Sequence, residues 1–130
     1  MRKLLVLAAT TIAWGAACAP PGASATDSAS LRIVAHADGR DPSSRTVWTL
    51  RCGPVGGSHP ARAAACRRLA IVGRRAFLPV PADTACTQIF GDDRTALVTG
   101  KVDGRSVWAR FSRSDGCRIA RYDNLRPILP

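Results

Sequence analysis

Glutamate is absent from this chain: all nine acidic residues are aspartate, set against nineteen Lys plus Arg. Carboxylate acid–base chemistry is left without glutamate, and no Gly-x-Ser-x-Gly nucleophile elbow occurs. Histidine stands only at 36 and 59, and His59 precedes a proline at a helix entrance, where a structural hydrogen bond is the expected use. A phosphate-binding glycine loop is missing, so Gly56-Gly57 reads as a flexible turn. Cysteines are never spaced Cys-x-x-Cys, and with two histidines to assist, a zinc site is disfavoured. No apolar stretch approaches the roughly 20 residues needed to span a bilayer. Aromatics make up 5% of the residues and do not interleave a long basic run, which argues against a nucleic-acid surface. Repeats and low-complexity tracts are missing too. These absences point away from an enzyme, and no metal or cofactor is expected.

The N-terminus carries the order of a secretory signal peptide: basic Met1-Arg2-Lys3, apolar Leu4 to Ile12, and the small-residue cleavage site Ala23-Ser24-Ala25. Residues 1–25 are expected to be removed, with 26–30 a flexible mature N-terminus and 31–130 one domain. The alternative cut, at Gly15-Ala16-Ala17-Cys18, would make a lipoprotein anchored through Cys18. Losing 1–25 removes Cys18 and leaves Cys52, Cys66, Cys86 and Cys117. In an exported protein this even set reads as two disulfides, with three pairings open. A core this small needs such staples. The seventeen remaining basic residues, sixteen of them arginine, are scattered from Arg32 to Arg126, with only Arg67-Arg68 and Arg74-Arg75 adjacent. A solvated arginine-rich surface is the ordinary reading, and a cationic module for an anionic cell surface or polymer the sharper one.

Alternation at Leu31, Ile33 and Ala35 predicts a first strand, Asp38 to Ser44 is turn chemistry, and Arg45 to Cys52 is a second strand with Trp48, Leu50 and Cys52 on one face. After the Gly53–Gly57 loop, Ser58-His59-Pro60 opens a helix. Cys66, Leu69 and Ala70 form its apolar face, Arg67 and Arg68 fall in its last turns, and Gly73 stops it. Phe77 to Asp83, with Pro79 and Pro81, is an irregular connection. Thr95–Val102 and Arg105–Phe111 flank Asp103-Gly104, the favoured composition of a tight hairpin turn, with a short second helix near Asp123 to Leu125. The fold class is α+β.

Taken together, Trp48-Thr49-Leu50-Arg51-Cys52, Gly57-Ser58-His59-Pro60, Ala65-Cys66 with Leu69-Ala70 and Val72-Gly73, Cys86, the Gly100 to Val107 hairpin, and Phe111-Ser112 before Cys117 resemble the bacterial subtilisin-inhibitor-like family of secreted serine protease inhibitors. The resemblance implies a five-stranded antiparallel sheet with two helices, a homodimer, and the disulfides Cys52–Cys66 and Cys86–Cys117. It also implies an inhibitory loop, Cys86-Thr87-Gln88-Ile89-Phe90-Gly91, with the reactive bond at Gln88–Ile89. Partners would be secreted serine proteases, subtilisin-like first and then trypsin- or chymotrypsin-like. The family commonly places proline before the specificity residue and methionine or a basic residue at it, where this chain has Thr87 and Gln88. The segment Gly91-Asp92-Asp93-Arg94 is about one residue longer than the family pattern, and the chain after Cys117 departs from it. The alternative implied by those departures is a non-inhibitory cationic binding module of the same fold.

Overall fold

The computed structural model describes residues 28–130, so the signal peptide over 1–25, the alternative at Cys18 and the start near Thr26 lie outside the described residues. Four strands form one antiparallel sheet: β1 (Ala29–His36), β2 (Arg45–Cys52), β3 (Asp92–Val102) and β4 (Arg105–Arg113). Their spatial order is β2-β1-β3-β4, which puts the first strand inside the sheet. Two helices, α1 (Arg62–Val72) and α2 (Gly116–Asn124), complete the α+β fold. Among the described residues no helix is long and apolar enough to cross a membrane.

The period of two in each strand sorts residues between two faces. Leu31, Ile33, Leu50, Val98, Ala109 and Phe111 turn inward and are buried. Leu69 of α1, Tyr122 of α2 and the segment Leu125–Leu129 cover that face and share its core cluster. The opposite face carries Arg32, Thr49, Thr99 and Trp108, which lie in one row across the four strands. Trp108 is 63% exposed on that side, with the Arg110 guanidinium 5.1 Å from its ring centre.

The β3–β4 turn is as expected. Asp103 and Gly104 both take positive φ, 51° and 73°, matching the twist of the strands they join. Gly73 ends α1 with φ 61° and donates its N–H to Leu69 O. Three expectations need correction. Helix α1 starts at Arg62, after a turn over Pro60 and Ala61, so Arg67 and Arg68 are mid-helix and Ala70 faces solvent. The second helix begins at Gly116, well before Asp123, because the Asp115 carboxylate accepts from Arg118 N and caps it.

The third correction concerns the sheet, which has four strands, not five. Beyond β2 the outer edge is satisfied by a loop: Arg51 and Gly56 exchange both backbone hydrogen bonds, His59 N donates to Thr49 O, and Ser58 Oγ accepts from Thr49 N. Beyond β4 the chain enters α2 and then curls, with Ile128 N and Leu129 N both donating to Leu125 O, while Pro127 has no N–H to give a ladder.

His59, 1% exposed, links these ends. Its Nδ1 accepts from Ala61 N at 3.0 Å, so Nε2 carries the hydrogen and donates to Ile128 O at 3.1 Å. Its ring also meets Trp48 edge-on at 4.8 Å. The histidine is therefore structural, as its place before Pro60 suggested. His59→Ala removes packing and leaves two buried polar partners unpaired, and is expected to cost about 3 kcal/mol, more than His59→Gln, which keeps a donor. Urea unfolding of the two variants checks this, and equal losses would show the hydrogen bonds to be immaterial.

Candidate functional site

The expected loop lies between the irregular Leu78–Thr84 connection and β3. Cys86 is partly buried, whereas Thr87, Gln88, Ile89 and Phe90 are all exposed. Ile89 and Phe90, adjacent in the chain, are 61% and 58% exposed. No helix or strand contains residues 84–91. Among the described residues, the backbone of 88–90 makes no hydrogen bond, and the Gln88 side chain donates from Nε2 to Cys86 O at 3.4 Å.

The ends of this free stretch are held. Cys86 is bonded to Cys117 in the first turn of α2, with Cα atoms 5.4 Å apart. The other bridge, Cys52–Cys66, joins β2 to α1, so both disulfides are those implied by the family resemblance. Beside Cys117, Gly116 N donates to Thr87 O at 3.0 Å, and a Cβ on Gly116 would sit 2.0 Å from Thr87 Oγ1. A larger residue there would have to push the Thr87 hydroxyl aside. At the far end Gly91 N donates to Arg113 O at 2.9 Å.

Two arginines brace the surroundings. Arg121 of α2 donates to Leu78 O, Phe77 O and Arg110 O, and its guanidinium lies 4.0 Å over the Phe111 ring. Burial lowers its pKa from the ordinary arginine value without an acidic partner to offset it. It thus ties the segment before the loop to β4 and α2. Arg113 bonds Asp92 at the start of β3 and Asp123 of α2. Asp92 also accepts from the guanidinium and backbone N–H of Arg94. The pairing of β3 with β4 shifts register between Asp92 and Ala96. Burial pushes the Tyr122 hydroxyl up, and the Arg94 and Arg113 guanidinium groups lie 6.0 and 5.4 Å from its ring. Cys86, Cys117 and Asp115 lie close together, but the two sulfurs are bonded to each other and offer no thiolates to a metal.

This is a short, unpaired, partly apolar segment hung between fixed ends. The family model described as subtilisin inhibitor-like matches residues 17–114. The chain belongs to the subtilisin inhibitor-like family. Its members are protease inhibitors and not enzymes. Among solved structures the chain is similar to Streptomyces caespitosus sermetstatin, crystallised in complex with Bacillus licheniformis subtilisin, at 28% identity, over 75% of this chain and 91% of that one, with a TM-score of 0.44. No curated protein sequence matches it.

Sequence reasoning found both disulfides through the family pattern, and the segment it marked as the loop is exposed, but it missed Arg113, Arg121, Asp92 and Gly116. For α2 a signal was there: Asp115 is a helix N-cap residue. For the two arginines there was none, since sixteen arginines of the expected mature chain look alike until their carbonyl and carboxylate partners are placed.

Asp92 yields a test. The Arg94 hydrogen bond, with the charges of Arg94 and Arg113, outweighs desolvation and lowers its pKa to about 2. A carboxylate depressed in the folded state stabilises above its unfolded pKa, about 3.9, and loses that contribution as pH falls through the folded value. The difference in melting temperature between wild type and Asp92→Asn is therefore expected to be constant above about pH 4 and to shrink towards pH 2. A difference independent of pH over that interval would refute the ionised role of Asp92.

Proposed function

We propose that this chain inhibits subtilisin-like serine proteases by presenting Cys86–Gly91 as a substrate-like segment, with Gln88 in the enzyme's primary specificity pocket and Ile89 on the leaving side. The observation that carries this is the backbone of 88–90, unpaired and exposed between a disulfide-anchored start and a hydrogen-bonded exit. Free N–H and C=O groups on an exposed segment can pair with a protease cleft as an added strand does with a sheet edge. Ends already fixed lower the ordering cost of binding. If the bond is cut, the new amine stays close to the acyl-enzyme, and religation competes with hydrolysis. Membership of the inhibitor family supports the same conclusion.

We place the protein outside the cell, where its two disulfides persist. It is read as a homodimer through the outer sheet face, where exposed Val47, buried Val34 and half-buried Leu97 form an apolar row across β2, β1 and β3. A cationic role at an anionic polymer is the second reading. It is favoured by exposed Arg62, Arg67, Arg74 and Arg75, which make no ion pair among the described residues. Salt weakens binding of that kind and loop substitutions spare it.

Selectivity tests the loop. A trypsin-like pocket ends in a carboxylate, and neutral Gln88 forgoes a charge-assisted contact of about 2–3 kcal/mol, roughly 30- to 150-fold. Gln88→Arg is expected to tighten trypsin inhibition by about that factor and subtilisin inhibition little. If wild type inhibits trypsin well and Gln88→Arg changes nothing, the bond is misplaced. Separately, Leu97→Asp is expected to shift the protein from dimer to monomer in sedimentation equilibrium while leaving the inhibition constant unchanged. A wild type that sediments as a monomer at every concentration would remove the dimer.

A further inference from the structure

We propose that Arg113 is a positioning residue for the loop, holding its exit by charge as the Cys86–Cys117 bridge holds its start. This rests on the inhibitory role of the loop. The exit is where slack would arise. Asp92 pairs with Arg113 and Ala96 with Phe111, so three residues of β3, Asp93 to Thr95, stand opposite the single residue Ser112 of β4. Such a mismatch leaves the strand leading out of the loop short of ladder contacts on that side.

Arg113 compensates from one position. Its carbonyl takes the Gly91 N–H. Its Nε donates to Asp92 Oδ2 at 3.1 Å, and another guanidinium nitrogen bonds the Asp123 carboxylate on α2. The Arg113 side chain is only 12% exposed and lies against the Tyr122 ring, while its partner carboxylates on Asp92 and Asp123 stay 34% and 45% exposed, so the guanidinium is held by packing as well as by charge. Arg94, held by the same Asp92 oxygen, closes the other side of the bulge. Both loop ends consequently terminate on α2: the start through Cys117 in its first turn, and the exit through Arg113 onto Asp123 in its last. The helix acts as a bar that fixes the span between Thr87 and Gly91.

The test compares wild type with Arg113→Met, which keeps the aliphatic bulk, Arg113→Lys, and Asp123→Asn at an exposed carboxylate. Three quantities are read: hydrogen exchange at the Gly91 and Gly116 amides, the inhibition constant for subtilisin, and the rate of cleavage at Gln88–Ile89. In Arg113→Met, Gly91 is expected to exchange about tenfold faster while Gly116 and the β1 amides are unchanged, with inhibition weakened and cleavage accelerated by a similar factor. Arg113→Lys is expected to recover part of each effect, and Asp123→Asn to show a smaller change in the same direction. A lower unfolding midpoint with Gly91 exchange unchanged would overturn the proposal, since Arg113 would then be structural only. Should Arg113→Met fail to fold, Asp123→Asn decides by the same measurements. If wild type does not inhibit subtilisin at all, the inhibitory role fails, and Gly91 exchange still decides whether Arg113 holds the exit.

Discussion

An exposed run with two large apolar side chains either collapses onto the nearest core or moves freely, unless its ends are fixed at a separation that allows neither. Here the bond between Cys86 and Cys117 sets that separation first. Its effect depends on the stiffness of what lies behind it. Helix α2 packs on β4 through the buried Tyr122, and Arg121 links the same helix to the backbone just before the loop. A disulfide to a mobile partner would restrict the chain without aiming it. This one transfers the rigidity of the sheet to a segment with no secondary structure of its own.

The two anchors differ in kind. One is covalent, so its vulnerability is reduction. The other is a set of ion pairs around the packed Arg113 side chain, so its vulnerability is protonation of Asp92 at about 2, far below neutrality. Neither depends on the large apolar residues of the loop. Ile89 and Phe90 are thereby left with no structural task, which is the condition for side chains that serve contact with another molecule.

What the sequence made legible was local or carried by pattern. Asp103-Gly104 between alternating strands specified a hairpin, and Gly73 the end of α1, because each signal is complete within a few residues. The disulfides followed from the spacing of the family. What escaped was long-range. His59 meets Ile128 across 69 residues, and Arg121 reaches back 43 residues to Leu78, partners that no window along the chain could supply. The missing fifth strand has the same origin: the Gly56–His59 loop occupies the edge of β2, and only the folded register reveals that those bonds are taken. The sequence of the loop, with Thr87 and Gln88 in place of the usual residues, is likewise silent on whether its conformation is held, because that is decided by Gly116, Arg113 and α2.

The strand order has a kinetic side. β1, the first strand in the chain, sits between β2 and β3, and its pairing with β3 joins Ala29 to Val102 and His36 to Thr95. A chain emerging from its N-terminus first can form the β1–β2 hairpin early, but one edge of β1 stays bare until more than fifty further residues have followed. High contact order of this kind makes folding slow and prolongs the life of species with an open strand edge. The partner of Cys86 lies in α2, beyond β3 and β4 in the chain, so the bridge that anchors residues 87–91 joins segments 31 positions apart and closes only when α2 has reached that side of the sheet.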